Sequence, residues 1–309
     1  MNPLTATRSL ELAAPDWRRR LSAFAALCKP RVNLLIVFTA MIGMVLAPVD
    51  ISLLRFLAAS AGIGLVACGA AAINCLVERT VDARMARTRG RPLPRGELAP
   101  AEALTLAIVL GAAGLALLHA FTTTLATWLT LATFLGYAVI YTAILKPATP
   151  MNIVIGGASG AMPPVLGWTA MTGSMAAEPL ALFLIVFLWT PPHFWALAMA
   201  RRDDYARAGF PMLPITHGIG LTCLHSLLYV IMLTAASFLP VTLGMAGGVY
   251  ALAVAWLNAL FLAQAIGLVR KYSDAASRRM FGFSIAYLSL LFAALFADRL
   301  LAPWLPRWF

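Results

Sequence analysis

Residues 53–92 read LLRFLAASAGIGLVACGAAAINCLVERTVDARMARTRGRP. The run 53–77 is almost wholly apolar, and it exceeds the about 20 residues that a helix needs to cross a hydrocarbon core. It leads directly into Asn74, Glu78 and Asp82, spaced i, i+4 and i+8. On a helix those three oxygen-bearing side chains share one face and climb about 12 Å. Arg84, Arg87, Arg89 and Arg91 follow at once, before Pro92. This stretch therefore predicts a membrane-crossing helix whose polar end carries a carboxylate stripe beside a cluster of guanidinium groups. Polar groups at a membrane boundary are costly and mark function.

The rest of the chain agrees with that helix. Of 309 residues, 61% are hydrophobic and 11% charged, with 22 Gly, 19 Pro and four Cys. A soluble domain is about 45–50% apolar and about 25% charged, so soluble, disordered, collagen-like and disulfide-framed classes are excluded. The expected fold is an all-α polytopic membrane protein. Apolar runs predict nine transmembrane helices, at 32–49, 53–77, 103–120, 125–145, 152–172, 180–200, 219–240, 243–268 and 281–300. The weakest divide is the uncharged turn at residues 121–124. Long continuous runs disfavour a barrel, whose strands are short and alternating.

The net charge of +11 orients the chain. With the N-terminus inside, 20 of 23 Lys and Arg fall on the inner side, leaving Arg55, Arg299 and Arg307 outside. Such asymmetry places the N-terminus in the cytoplasm and the C-terminus in the periplasm, in a bacterial inner membrane. Three parts are expected: a cytoplasmic lead-in over 1–31, a single transmembrane domain over 32–300, and a short outer-side tail over 301–309 where Trp304 and Trp308 suit an interface. The lead-in has no long apolar run, so no signal peptide is expected. The lipid bilayer is the expected partner of the apolar surface, and no nucleic acid is expected. Cys28, Cys68, Cys75 and Cys223 lack metal-type spacing and read as packing residues.

Two long inner loops, 78–101 and 201–218, lie four spans apart and both begin with carboxylates among arginines. That echo predicts two four-helix halves plus a ninth helix around a central cavity, with a shared site between the halves. The second loop carries Arg201, Arg202, Asp203, Asp204 and Tyr205. Upstream, Trp189-Thr-Pro191-Pro192-His193-Phe-Trp195 predicts a break or a kink at Pro192, with His193 at that point. Between the loops lie Tyr141-Thr142, Lys146 and Asn152. A carboxylate pair holds Mg²⁺ weakly alone but well together with substrate phosphates, and arginines pair with phosphate oxygens. Glu78 and Asp82 followed by Arg84, Arg87, Arg89 and Arg91 can therefore hold a metal–phosphate unit, and Lys146 can meet a phosphate or simply mark the inner side. A solvated, lipid-facing helix end with i,i+4 salt bridges is the plainer alternative for the stripe, and a packing role is the plainer one for His193.

These residues together resemble the heme O synthase branch of the intramembrane aromatic prenyltransferase superfamily. The likeness is carried by Lys29-Pro30-Arg31, the Asn74, Glu78, Asp82, Met85, Arg87-Thr88 and Arg91-Pro92 block, Tyr141-Thr142 with Leu145-Lys146, and Asn152 with Gly156-Gly157. Pro163-Pro164, Gly167-Trp168, Pro192-His193-Phe194 and Asp204-Tyr205 with Pro211-Met-Leu-Pro214 complete it. The resemblance implies transfer of a farnesyl group from farnesyl diphosphate to a vinyl group of heme B, giving heme O and diphosphate, with Mg²⁺ as cofactor. It implies that Asn74, Glu78 and Asp82 form a first metal–diphosphate motif and Asp204 belongs to a second. It implies that Glu78, Asp82 and Asp204 would hold the metal, that Arg87, Arg91 and Lys146 would hold the diphosphate with Arg201 and Arg202 beside them, and that His193 would contact heme. A downstream heme A synthase is the implied partner for the product. The chain departs from the family at Glu78, where Asp is usual, and at Pro147, where a basic residue is common. Prenylation of another aromatic acceptor such as 4-hydroxybenzoate is the nearest alternative activity, and a membrane transporter is the non-enzymatic one.

Overall fold

The computed structural model describes residues 17–301. Arg8 of the lead-in, and Trp304, Trp308 and almost all of the outer-side tail, lie outside the described residues. Among the described residues the chain is helical throughout, with no strand. The first helices are α1 (Trp17–Leu27), α2 (Pro30–Leu46), α3 (Leu53–Asp82), α4 (Pro100–Phe121) and α5 (Thr124–Leu135). A π-helical segment, Gly136–Leu145, continues α5 into Lys146–Ala148. Then come α6 (Asn152–Ala161), α7 (Pro163–Thr172), α8 (Ala177–Ala200), α9 (Arg202–Arg207) and α10 (Leu213–Thr216). The chain finishes with α11 (Gly218–Ala236), α12 (Leu239–Thr242), α13 (Gly248–Arg270) and α14 (Asp274–Leu301).

Seven helical stretches are long and apolar enough to cross a membrane, and the α1–α2 pair, bent by 50°, makes an eighth if read as one span. The turn at 121–124 does divide α4 from α5. The expected span over 152–172 is not one helix. Pro163 and Pro164 lack N–H groups, so they open a new helix comfortably, and α6 and α7 are ten residues each. Seven candidate spans, or eight with the bent α1–α2 pair, and the broken α6–α7 pair therefore stand where nine transmembrane helices were expected.

Of the break or kink expected at Pro192, the break does not occur. Helix α8 runs unbroken through Pro191 and Pro192. An interior proline costs a soluble helix about 3 kcal/mol, but neighbouring helices offset that in a membrane bundle. Here α8 is the central element. It packs against α6, α11 and α14, and 61% of its apolar window is buried, the highest share among the seven spans.

Close backbone approach sets the crossing of α2 and α7. A methyl group at Gly43 would lie 2.1 Å from the Pro164 carbonyl oxygen, and one at Gly167 would lie 2.0 Å from that of Ala40. Only glycine fits at either position. In the C-terminal part, polar groups satisfy one another inside the bundle. Tyr287 donates to Asn258 at 2.7 Å, and Asn258 donates to Ser237 at 2.8 Å. Asp298 accepts from the Gly247 and Tyr250 amides that open α13. The outer surface is the reverse: Leu34, Trp256 and Leu252 are 70%, 68% and 77% exposed. Apolar exposure on that scale needs lipid rather than water around it. The protein is a multi-pass membrane protein.

Candidate active site

Helix α3 is 30 residues long, or about 45 Å. That is longer than a hydrocarbon core of about 30 Å, so its last turns stand clear of the apolar slab. Asn74, Glu78 and Asp82 lie on those turns and are all buried, facing the protein rather than lipid or solvent.

Glu78 is the hub. Its Oε1 accepts from Asn74 Nδ2 at 2.6 Å and from Lys146 Nζ at 2.5 Å. Asn74 also donates to Thr142 Oγ1 at 3.3 Å, and its own Oδ1 accepts from Lys29 Nζ. Two cations thus converge on one carboxylate–amide pair. Lys29 comes from the bend between α1 and α2. It is the only non-glycine residue with positive φ among the described residues, at 48°. Pro30 opens α2 and disfavours the right-handed helical region for the residue before it. Lys146 comes from the end of the π-helical segment. There Thr142 Oγ1 donates to Tyr137 O, five residues back, at 2.8 Å, as the wider π winding demands. Tyr141 fills the space beside Gly156, where a methyl group would lie 1.9 Å from its ring. Such π segments recur at functional sites.

Asp82 is held separately. Arg91 Nη1 donates to its Oδ2 at 2.6 Å, and Thr88 Oγ1 donates to its backbone carbonyl at 3.0 Å. The loop after α3 therefore folds back over the helix end and delivers Arg91 to the stripe.

The second loop meets the first. Met85 packs with Tyr205, Phe210, Met212 and Leu213 in one small apolar cluster that also takes in Ile153 and Trp195. Lys146 Nζ sits 4.9 Å from the Phe210 ring centre, within cation–π range. Burial pushes the Tyr205 hydroxyl up from its ordinary pKa, and the hydrogen-bonded Arg87 guanidinium pulls the other way. Asp204 accepts from Arg207 Nη2 at 2.5 Å, and Arg201 Nη1 stands 3.8 Å off. Arg202 turns instead to Asp203 at 3.6 Å and Asp274 at 3.8 Å. Arg201, Arg202, Asp204, Arg207, Asp274 and Arg278 line a cavity of about 300 Å³ on this side.

Deeper in α8, His193 is buried between rings. It stacks on Trp189 at 4.3 Å and on Phe281 at 4.7 Å, with Phe194 edge-on at 5.0 Å. Its Nδ1 lies 2.6 Å from Ser284 Oγ.

The structure thus brings Asn74, Glu78 and Lys146 into one network, pairs Asp82 with Arg91, and leaves Asp204 with its own arginines. No three Asp, Glu, His or Cys side chains form a metal-holding group among the described residues. Carboxylates repel one another, so each has paired with its nearest cation. The donor set still fits Mg²⁺, which takes oxygen ligands and commonly needs only one or two carboxylates when phosphates supply the rest. Sequence reasoning passed over three contributors. Lys29 and Thr142 sit in motif segments quoted above, so a signal existed. Ser284, in α14, had none.

Residues 36–295 match the UbiA prenyltransferase family. The chain is 67% identical over 297 residues to the protoheme IX farnesyltransferase of Dechloromonas aromatica (strain RCB), covering 96% of this chain and 98% of that relative. In fold it is similar to a solved structure of digeranylgeranylglyceryl phosphate synthase, with TM-score 0.76 and 19% identity over 91% of this chain and 99% of that one. It is also similar to a UbiA homolog from Archaeoglobus fulgidus bound to GPP and Mg²⁺, with TM-score 0.64 and 17% identity over 88% and 99%.

Proposed function

The chain belongs to the UbiA prenyltransferase family, and from that membership we propose that it transfers a farnesyl group from farnesyl diphosphate to a vinyl group of heme B. Attack of the vinyl group on the allylic carbon leaves a cation on the other former vinyl carbon, and one water adds there and gives up its proton, so the products are heme O and diphosphate. The 67% identity to a protoheme IX farnesyltransferase along almost the whole chain supports this acceptor over 4-hydroxybenzoate and over transport. The observation that carries the site is the convergence of Lys29, Lys146 and Arg91 on the Asn74–Glu78–Asp82 stripe.

The chemistry follows from those contacts. Breaking the allylic C–O bond leaves the electron pair, and hence negative charge, on the diphosphate. Lys146 and Arg91 donate to carboxylates in the resting protein, and those same N–H groups can turn to phosphate oxygens. Preformed donors aimed at developing charge lower the barrier most. Mg²⁺, when bound, would neutralise further diphosphate charge, with Glu78, Asp82 and Asp204 as the residues to hold it. Asn74 and Thr142 orient Glu78. Arg87 and Arg201 extend the basic rim, and Arg202 stands outside it. The apolar bundle beyond Tyr141 keeps water from the allylic cation until the vinyl carbon attacks. His193 contacts the heme as an iron ligand.

The architecture we propose is nine crossings, the fifth being the broken α6–α7 pair, in two four-helix halves plus a ninth helix. The cytoplasmic lead-in and N-terminus lie inside and the C-terminus lies in the periplasm of a bacterial inner membrane, from the cation asymmetry. A heme A synthase would consume the product. Membranes containing the protein, supplied with farnesyl diphosphate and either heme B or 4-hydroxybenzoate, test the activity. Heme O is the expected product, and conversion of the benzoate alone would overturn the reading.

A further inference from the structure

We propose that Ser284 is a positioning residue that locks the His193 ring in the tautomer whose Nε2 lone pair can bind heme iron. The inference rests on the heme-acceptor reading above.

The argument is a count of hydrogens. A serine hydroxyl has one proton to donate. Ser284 Oγ donates to the Phe281 carbonyl at 2.7 Å, the usual back-bond of a serine within a helix. That proton is spent, so the oxygen can only accept at its 2.6 Å contact with His193 Nδ1. The proton in that contact therefore sits on Nδ1. A neutral imidazole with a proton on Nδ1 carries its lone pair on Nε2. Among the described residues Nε2 makes no hydrogen bond. It is also not one of the fully buried unpartnered polar atoms, which are Asn152 Oδ1, Trp168 Nε1, Trp195 Nε1 and Gln264 Oε1. The lone pair is thus both free and reachable.

Residue 284 anchors the ring a second way. Its backbone carbonyl accepts from Trp189 Nε1 at 2.7 Å, and Trp189 is the indole stacked on the imidazole at 4.3 Å. Phe281, one turn earlier on α14, covers a ring face at 4.7 Å. One short segment of α14 therefore fixes the protonation, plane and direction of a histidine on α8. Histidines that bind metals commonly donate their other ring N–H to an oxygen acceptor, and loss of that acceptor typically weakens binding about 10- to 100-fold.

The test uses full-length protein in nanodiscs, freed of heme and titrated with ferric heme B, followed by Soret absorption and EPR. His193→Ala should lose the histidine-ligated spectrum. Ser284→Ala should weaken heme binding about 10-fold or more and shift the spectrum, while farnesyl diphosphate binding in the same samples stays unchanged. Ser284→Thr, which keeps the hydroxyl, should restore the spectrum. In His193→Gly with added imidazole, the ligand returns without its tether, and Ser284→Ala should then add nothing. A wild-type spectrum and affinity in Ser284→Ala, with His193→Ala defective, would overturn the positioning role alone. So would an equal loss from Ser284→Ala in the imidazole-supplemented background, because that marks lost packing. An unchanged spectrum in His193→Ala would remove the ligand reading itself and this inference with it.

Discussion

Lys146 Nζ lies 2.5 Å from Glu78 Oε1, tying the end of the π-helical segment to the inner end of α3. The lysine side chain is 15% exposed and the carboxylate 9%. An ion pair this enclosed has given up much of its hydration, so breaking one side leaves an uncompensated charge. It also keeps an ammonium group ready where a phosphate would arrive.

Lys146→Met removes the charge and keeps the length of the side chain. Turnover of farnesyl diphosphate should fall by about 10²-fold, the usual cost of losing one donor to developing negative charge. Steady-state kinetics on purified protein checks this, and a rate within a few-fold of wild type would exclude Lys146 from the leaving-group site.

Asp82→Ala and Asp204→Ala should each remove most activity without loss of folded protein. Both carboxylates sit at helix ends with arginine partners, so folding does not depend on them alone. Size-exclusion profiles in detergent and heme O formation, measured on the same preparations, separate the two effects. Near-wild-type turnover in either variant would contradict its assignment to the metal.

Chelation of divalent metal should abolish product formation, and Mg²⁺ should restore it. Arg91→Ala should raise the farnesyl diphosphate concentration needed for half-maximal turnover, because the diphosphate then lacks a guanidinium group. A substrate titration of the variant at saturating Mg²⁺ reads this directly.

Arg202→Ala should change turnover very little. Arg202 is 42% exposed and pairs with Asp203 and Asp274, and exposed ion pairs contribute only about 0–1 kcal/mol. A large loss of activity would place Arg202 back among the diphosphate contacts.

Gly156→Ala should be destabilising, since its methyl group would lie 1.9 Å from Tyr141. Forcing a methyl group into a packed site costs about 1–3 kcal/mol. The displaced ring belongs to the segment that carries Thr142 and Lys146, so activity should fall more than thermal stability does. Melting temperature and turnover of the variant, compared with those of Gly160→Ala, which has open space at the same point, provide the check.

Much of this site was legible in one dimension because helices are periodic. The spacing of Asn74, Glu78 and Asp82 predicts one face, and the structure buries all three on it. Hydropathy located the membrane-crossing stretches and the turn at residues 121–124 for the same local reason. The prolines were misjudged in both directions, for a nonlocal reason. At Pro163 the chain starts a new helix, whereas Pro191 and Pro192 are carried inside an unbroken one. At the start of a helix a proline gives up no hydrogen bond, whereas inside one it costs about 3 kcal/mol, which the packing around α8 offsets.

By itself the sequence determined the class of the molecule, its apolar stretches, the carboxylate stripe and the residue types able to hold a prenyl diphosphate. Those follow from composition and from repeats of three to four residues along a helix. Only the tertiary structure decided the partners: Lys146 for Glu78, Lys29 for Asn74, and Ser284 for His193. Charges of one sign look alike along a chain. Which cation meets which carboxylate depends on how the α1–α2 bend and the π segment pack against α3, just as the packing of α14 on α8 joins His193 to Ser284, 91 positions away.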